Sequence, residues 1–86
     1  MPILSTFLGI VIKVFHRDHN PPHIHVEYAE FKAQIEISTG RVLSGKLPPR
    51  SLRAVSEWRK LYTKELIQAW QDTQNDKTPK RIKPLE

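Results

Sequence analysis

At Pro48-Pro49 the spacing of apolar residues changes, and that change fixes the class of fold open to the chain. Before the prolines, Ile10, Ile12 and Val14 alternate with Val11, Lys13 and Phe15 in a β-branched run opened by Gly9. Ile24, Val26 and Tyr28 alternate with His23, His25 and Glu27, and Phe31, Ala33, Ile35 and Ile37 with Lys32, Gln34, Glu36 and Ser38. A period of two is that of a strand with one buried face. After the prolines, Leu52, Val55, Trp58, Leu61, Tyr62, Leu66, Ala69 and Trp70 recur at three and four residues, the apolar stripe of a helix. Proline is tolerated in a helix's first turn and excluded from its interior, so the helix begins at the pair. The expectation is an α+β domain: an antiparallel sheet of three to four strands followed by a C-terminal helix or helix pair packed on one face. Asp18 to Pro22 and Thr39-Gly40 are the turns, and Arg41 to Leu47 is a short candidate fourth strand. Thr63, followed by Lys64 and Glu65, is a candidate cap for a second helix, which would put a break near Tyr62 to Thr63.

Eighty-six residues make one domain with a thin margin of buried area, so a large internal active-site cavity is not expected. Chemistry belongs on an exposed face, a loop, or a surface shared with a partner. Residues 1–75 form the domain and residues 76–86 a basic tail, mobile on its own. Ile82 and Leu85, set among Lys77, Lys80, Arg81 and Lys83, would suit docking onto a partner or across a dimer. The absence of cysteine excludes disulfides and thiolate chemistry and makes a cytoplasmic location the default. The N-terminus lacks the basic residues of a signal peptide, and Lys13 interrupts its apolar stretch well short of a membrane span.

Fourteen Lys+Arg against nine Asp+Glu give a net charge of +5, which favours an acidic or polyanionic partner such as RNA. Between Arg41 and Lys64 the only acidic residue is Glu57. Arg50 and Arg53 fall in the first helical turns, where a phosphate could meet both guanidinium groups and free backbone donors; the alternative is a solvated helix face. Trp58 and Trp70 lie in the apolar stripe and are expected in the core.

All four histidines, His16, His19, His23 and His25, fall in one short segment. His23 and His25 project to the same side of their strand, away from Ile24 and Val26. A tight turn at Ala29-Glu30 pairs Glu27 with Lys32, His25 with Gln34, and His23 with Glu36, so that Glu36 would stabilise the cationic form of His23. Lys13 and Phe15 would flank the pair. Three readings follow. His23 and His25, with His19 or Asp18 from the loop, offer three ligands to a divalent metal and leave a position for water. Alternatively His19, His23 and His25 cleave RNA by metal-free acid–base chemistry, with Lys13, Arg17 or Lys32 holding the phosphate. In the third, Asp18 and Asn20 bond the loop backbone and the histidines are solvated or paired with Glu27 and Glu36. His16, in the parity of Ile10, Ile12 and Val14, is expected at the core edge as a hydrogen-bonded structural histidine.

The segments Gly9-Ile10-Val11-Ile12, Asp18-His19-Asn20-Pro21-Pro22-His23-Ile24-His25-Val26 and Gly45-Lys46-Leu47-Pro48-Pro49-Arg50, with the Glu57-Trp58 helix, resemble a prokaryotic domain of unknown function, the family numbered 4160. The likeness spans nearly the whole chain, including the Pro79-to-Leu85 tail, and its characteristic positions are Asp18, His19, Asn20, Pro21, Pro22, His23 and His25. It implies one half of a two-gene module, encoded beside a second small family of unknown function numbered 2442, such pairs having been proposed as toxin–antitoxin systems. The resemblance thus implies a small antitoxin-like protein partner and, by analogy with other small basic toxins, cleavage of RNA. A non-catalytic module that binds nucleic acid or protein, with structural or metal-binding histidines, is the alternative.

Overall fold

The computed structural model describes residues 2–86. Five strands, β1 (Ile3–Phe7), β2 (Ile10–Lys13), β3 (His23–Tyr28), β4 (Phe31–Glu36) and β5 (Val42–Gly45), are followed by helices α1 (Pro49–Leu61) and α2 (Thr63–Gln74). The strands form one antiparallel sheet in sequence order. Ile10, Ile12, Val14, Ile24, Val26, Ala33, Ile35 and Ile37 line one face, and Val55, Trp58, Leu66, Ala69 and Trp70 cover it. Both tryptophans are buried, as the stripe predicts. No helix among the described residues is long and apolar enough to cross a membrane.

The sheet has five strands rather than three or four. The additional strand is β1, whose residues do not alternate because the register shifts between Ile3 and Ser5. That bulge turns Leu4 and Ser5 both inward, to 0% and 1% exposure, so the period of two is lost where the strand begins. The candidate fourth strand corresponds to β5, which is exposed along its length.

The helical half is a pair. Tyr62, at φ −121°, breaks the run between Leu61 and Thr63. Thr63 does not cap the second helix: its hydroxyl donates back to the Arg59 carbonyl at 2.7 Å. Arg59 itself is buried, donating from Nη1 to the Ile37 carbonyl at 2.7 Å, so this residue of the basic stretch is part of the interior.

The tail lies on its own domain. Pro79 and Ile82 are buried, the Ile82 amide donates to the Leu4 carbonyl at 2.8 Å, and the Lys83 carbonyl accepts from Trp58 Nε1 at 2.7 Å. The first bond serves a carbonyl of the bulged edge strand and the second satisfies a buried indole donor.

Candidate functional site

After β2 the chain leaves the sheet and returns at His23. Its path is pinned from two sides. From α2, the Thr73 carbonyl accepts the Arg17 amide at 3.3 Å and Gln74 Nε2 donates to the Asp18 carbonyl at 3.2 Å; just beyond the helix, Asp76 pairs with the Arg17 guanidinium, Nε to Oδ1 at 3.1 Å. From the end of β4, the Ile37 amide donates to the Pro22 carbonyl at 3.0 Å. Arg17 takes a left-handed conformation, φ 55°, which turns the chain so that the Asp18 side chain faces the start of β3.

Asp18 is the hub. Its Oδ2 accepts from His25 Nε2 at 2.8 Å and lies 3.0 Å from His23 Nε2; its Oδ1 accepts the His19 amide at 2.9 Å and lies 3.1 Å from His19 Nδ1. Partial burial pushes the Asp18 carboxyl toward a higher pKa. The His25 hydrogen bond, the His19 amide and the charges of His23 and His25 together outweigh burial and hold it below its ordinary value.

His23 is 1% exposed, with its ring between Trp70, His25 and His19 at centroid distances of 5.2, 5.0 and 5.4 Å. Its Nδ1 donates to the Pro21 carbonyl at 2.7 Å, because a carbonyl oxygen only accepts. With Nδ1 so engaged, Nε2 is left buried without a hydrogen-bond partner, 3.0 Å from a carboxylate oxygen. His25 is partly exposed and stacks on Phe15 at 4.0 Å and 8°. Asp18, His23 and His25 each place one ligand atom within 4.8 Å of the others.

The other sequence-derived candidates divide. Glu36 is in register with His23, but its carboxylate accepts from Thr39 Oγ1 at 2.8 Å and Ser38 Oγ at 3.4 Å, so the carboxylate expected beside His23 is supplied by Asp18 instead. Lys13 lies opposite His25 yet pairs with Glu27 at 3.1 Å, and Arg17 is paired with Asp76. Lys32 is exposed beside His25 across the β3–β4 ladder, in a groove it shares with Phe15 and Gln34. Arg50 lines a separate hollow with Leu8, Ile10 and Tyr28, at the end of β3 away from His23, and Arg53 is exposed one turn further along α1. The structure therefore does not bring Arg50 and Arg53 to the histidines. His16 is exposed rather than at the core edge, because β2 ends at Lys13 and the chain has left the sheet by that point.

The family model of a domain of unknown function (DUF4160) matches residues 9–71. The chain belongs to this family. The DUF4160 match contains Asp18 and all four histidines, while β1 and the residues at and beyond the end of α2 that pin the loop, Thr73, Gln74 and Asp76, fall outside it. Neither a curated protein nor a solved structure matches the chain.

Proposed function

We propose that this chain is the toxin half of a type II toxin–antitoxin pair and that it cleaves RNA at the Asp18–His25 cluster. The observation that carries the reading is the position of that cluster: the 2.8 Å Asp18–His25 contact stands beside a groove of about 190 Å³ on the sheet face the helices leave uncovered. Phe15, Lys32, Gln34 and Ser44 line it with His25, offering an aromatic edge, a cation and neutral hydrogen-bonding groups to a phosphodiester and its base. The net charge of +5 draws a polyanion toward it.

In this reading the cluster takes the proton of a ribose 2′-hydroxyl, the 2′-oxygen attacks the adjacent phosphorus, and the bond from phosphorus to the 5′-oxygen breaks. The products are a 2′,3′-cyclic phosphate and a 5′-hydroxyl, whose proton comes from exposed His19. Lys32 neutralises charge on the phosphoryl oxygens. His23 is too buried to touch RNA and serves as a positioning residue for Asp18. The partner antitoxin, of the family numbered 2442, covers the open sheet face.

A second reading, a non-catalytic binding module, is favoured by the placement of Arg50 and Arg53, both exposed and remote from the histidines. The two are separated by expressing the chain alone and following growth and total RNA. Growth arrest with RNA loss, abolished by His25→Ala and weakened by Lys32→Ala in folded protein, is the expected result. Intact RNA and undisturbed growth with soluble, folded protein overturn the enzyme reading.

A further inference from the structure

We infer that Asp18, His23 and His25 bind one divalent transition-metal ion of the zinc, cobalt and nickel class. The argument starts from the buried nitrogen. His23 Nε2 is enclosed by protein and has no hydrogen-bond partner, although Nδ1 of the same ring is fixed by the Pro21 carbonyl. A buried polar atom left unpaired forfeits its solvation without compensation. A carboxylate oxygen of Asp18 lies 3.0 Å from this nitrogen. A cation held between this nitrogen and the carboxylate satisfies both.

The surroundings match what a metal requires. An Nδ1–H to carbonyl bond is the usual way a ligating histidine is oriented, with Nε2 turned to the ion. Bonds of about 2.0 Å in a tetrahedral site put ligand atoms about 3.3 Å apart. Asp18 Oδ2 is 3.0 Å from His23 Nε2 and 2.8 Å from His25 Nε2, and all three ligand atoms lie within 4.8 Å of one another, so an ion spreads the carboxylate slightly from each ring and draws the two rings together about it. Two imidazoles and a carboxylate, without thiolate, select a borderline transition metal over magnesium or calcium. His19, exposed and with Nδ1 3.1 Å from the other Asp18 oxygen, is placed to swing in as a fourth ligand or to leave that position to water. Phe15 and Trp70 shield two sides of the cluster from solvent. The inference rests on this geometry and is independent of RNA cleavage.

The test uses full-length protein stripped with a chelator, then titrated with zinc by calorimetry and with cobalt by visible absorption. Wild-type protein is expected to bind one ion per chain, to show the cobalt bands of a low-coordinate nitrogen and oxygen site, and to unfold at a higher temperature with zinc. Asp18→Asn and His25→Ala, at partly exposed positions, should each weaken binding at least about tenfold while retaining the wild-type circular dichroism. His16→Ala, which removes an exposed histidine outside the cluster, should bind as wild type does. The inference is overturned if wild-type protein shows no saturable binding, or if folded Asp18→Asn and His25→Ala bind as tightly as wild type. In that event a proton occupies the place of the ion and His23 donates from both nitrogens. Metal binding with intact cellular RNA would leave the site standing and remove the cleavage reading; RNA loss from a chain without saturable binding would do the reverse.

Discussion

His23 and Glu36 stand opposite each other in the β3–β4 ladder, yet the carboxylate that reaches His23 is that of Asp18, 3.0 Å from Nε2. The hydroxyls of Ser38 and Thr39 hold Glu36 over the β4–β5 turn, and the Thr39 hydroxyl also accepts the Arg41 amide at 3.1 Å. Cross-strand register brings two backbones together; local turn chemistry then decides where a flexible side chain goes.

Glu36→Gln should therefore be close to silent at the histidines. We expect a stability change within about 0.5 kcal/mol and unchanged imidazole nitrogen resonances for His23 and His25. Asp18→Asn should alter both rings' resonances and lower stability by about 1–3 kcal/mol in metal-free protein, because the amide replaces a charged acceptor shared by the cluster. Long-range nitrogen–proton spectra of the two variants check the pair. Equal perturbation by both would return Glu36 to the site.

Much of this arrangement is legible in the sequence, and the exceptions share a cause. Alternation located β2, β3 and β4 and placed His23 opposite Glu36, because a period of two reports directly on which face each residue takes. It missed β1, where a bulge puts Leu4 and Ser5 on the same side. The role of Asp18 depends on loop geometry set by Thr73, Gln74 and Asp76, more than fifty residues away, and no local pattern carries that. Arg59 is similar: its contact with the Ile37 carbonyl spans 22 residues, so a charge run gives no sign that one member is interior. The clustering of the histidines was the sequence signal for the site, and Asp18 opening the same turn was the signal for its hub.

The pin between loop and helix carries a pH dependence. The Arg17 hydrogen bond, opposed by desolvation and assisted by the charges of Arg17 and His16, holds the Asp76 carboxyl below its ordinary value. A carboxyl depressed in the folded state contributes stability above its unfolded pKa and loses it as pH falls through the folded one. Asp76→Asn should thus be less stable than wild type near neutrality, and the difference should shrink as pH falls below the ordinary carboxylate range. Added salt should narrow it too, since the pair is exposed to solvent. Denaturation midpoints across pH, at low and high salt, test this; a difference that persists undiminished in acid would assign Asp76 a role other than its charge.

Trp70 joins the core to the site. It is 5% exposed, lies in the apolar cluster and packs on the His23 ring at 5.2 Å. Trp70→Ala should cost about 3–5 kcal/mol, a large share of the stability of a small domain. Trp70→Phe keeps a ring at the position and should cost less. If the ring serves to keep water from His23, Trp70→Phe should stay folded in equilibrium denaturation while the His23 imidazole resonances shift toward those of a solvated histidine. Unchanged resonances would confine Trp70 to packing.

The tail provides a contrast between two apolar residues three positions apart. Ile82 is 8% exposed, and its amide bonds the carbonyl of Leu4 at the β1 bulge; Leu85 is only partly buried at the edge of the same cluster. Ile82→Ala removes well-packed methyl groups beside Leu4 and should destabilise by about 2–5 kcal/mol, with Leu85→Ala clearly below that range. Urea denaturation of the two variants measures the difference. Because Ile82 fastens the segment whose Lys83 carbonyl accepts the Trp58 indole proton, Ile82→Ala should also change Trp58 fluorescence before global unfolding. A silent Ile82→Ala would mean that residues 76–86 do not hold this position on the domain in solution, and that the outer edge of β1 is free to pair with another strand.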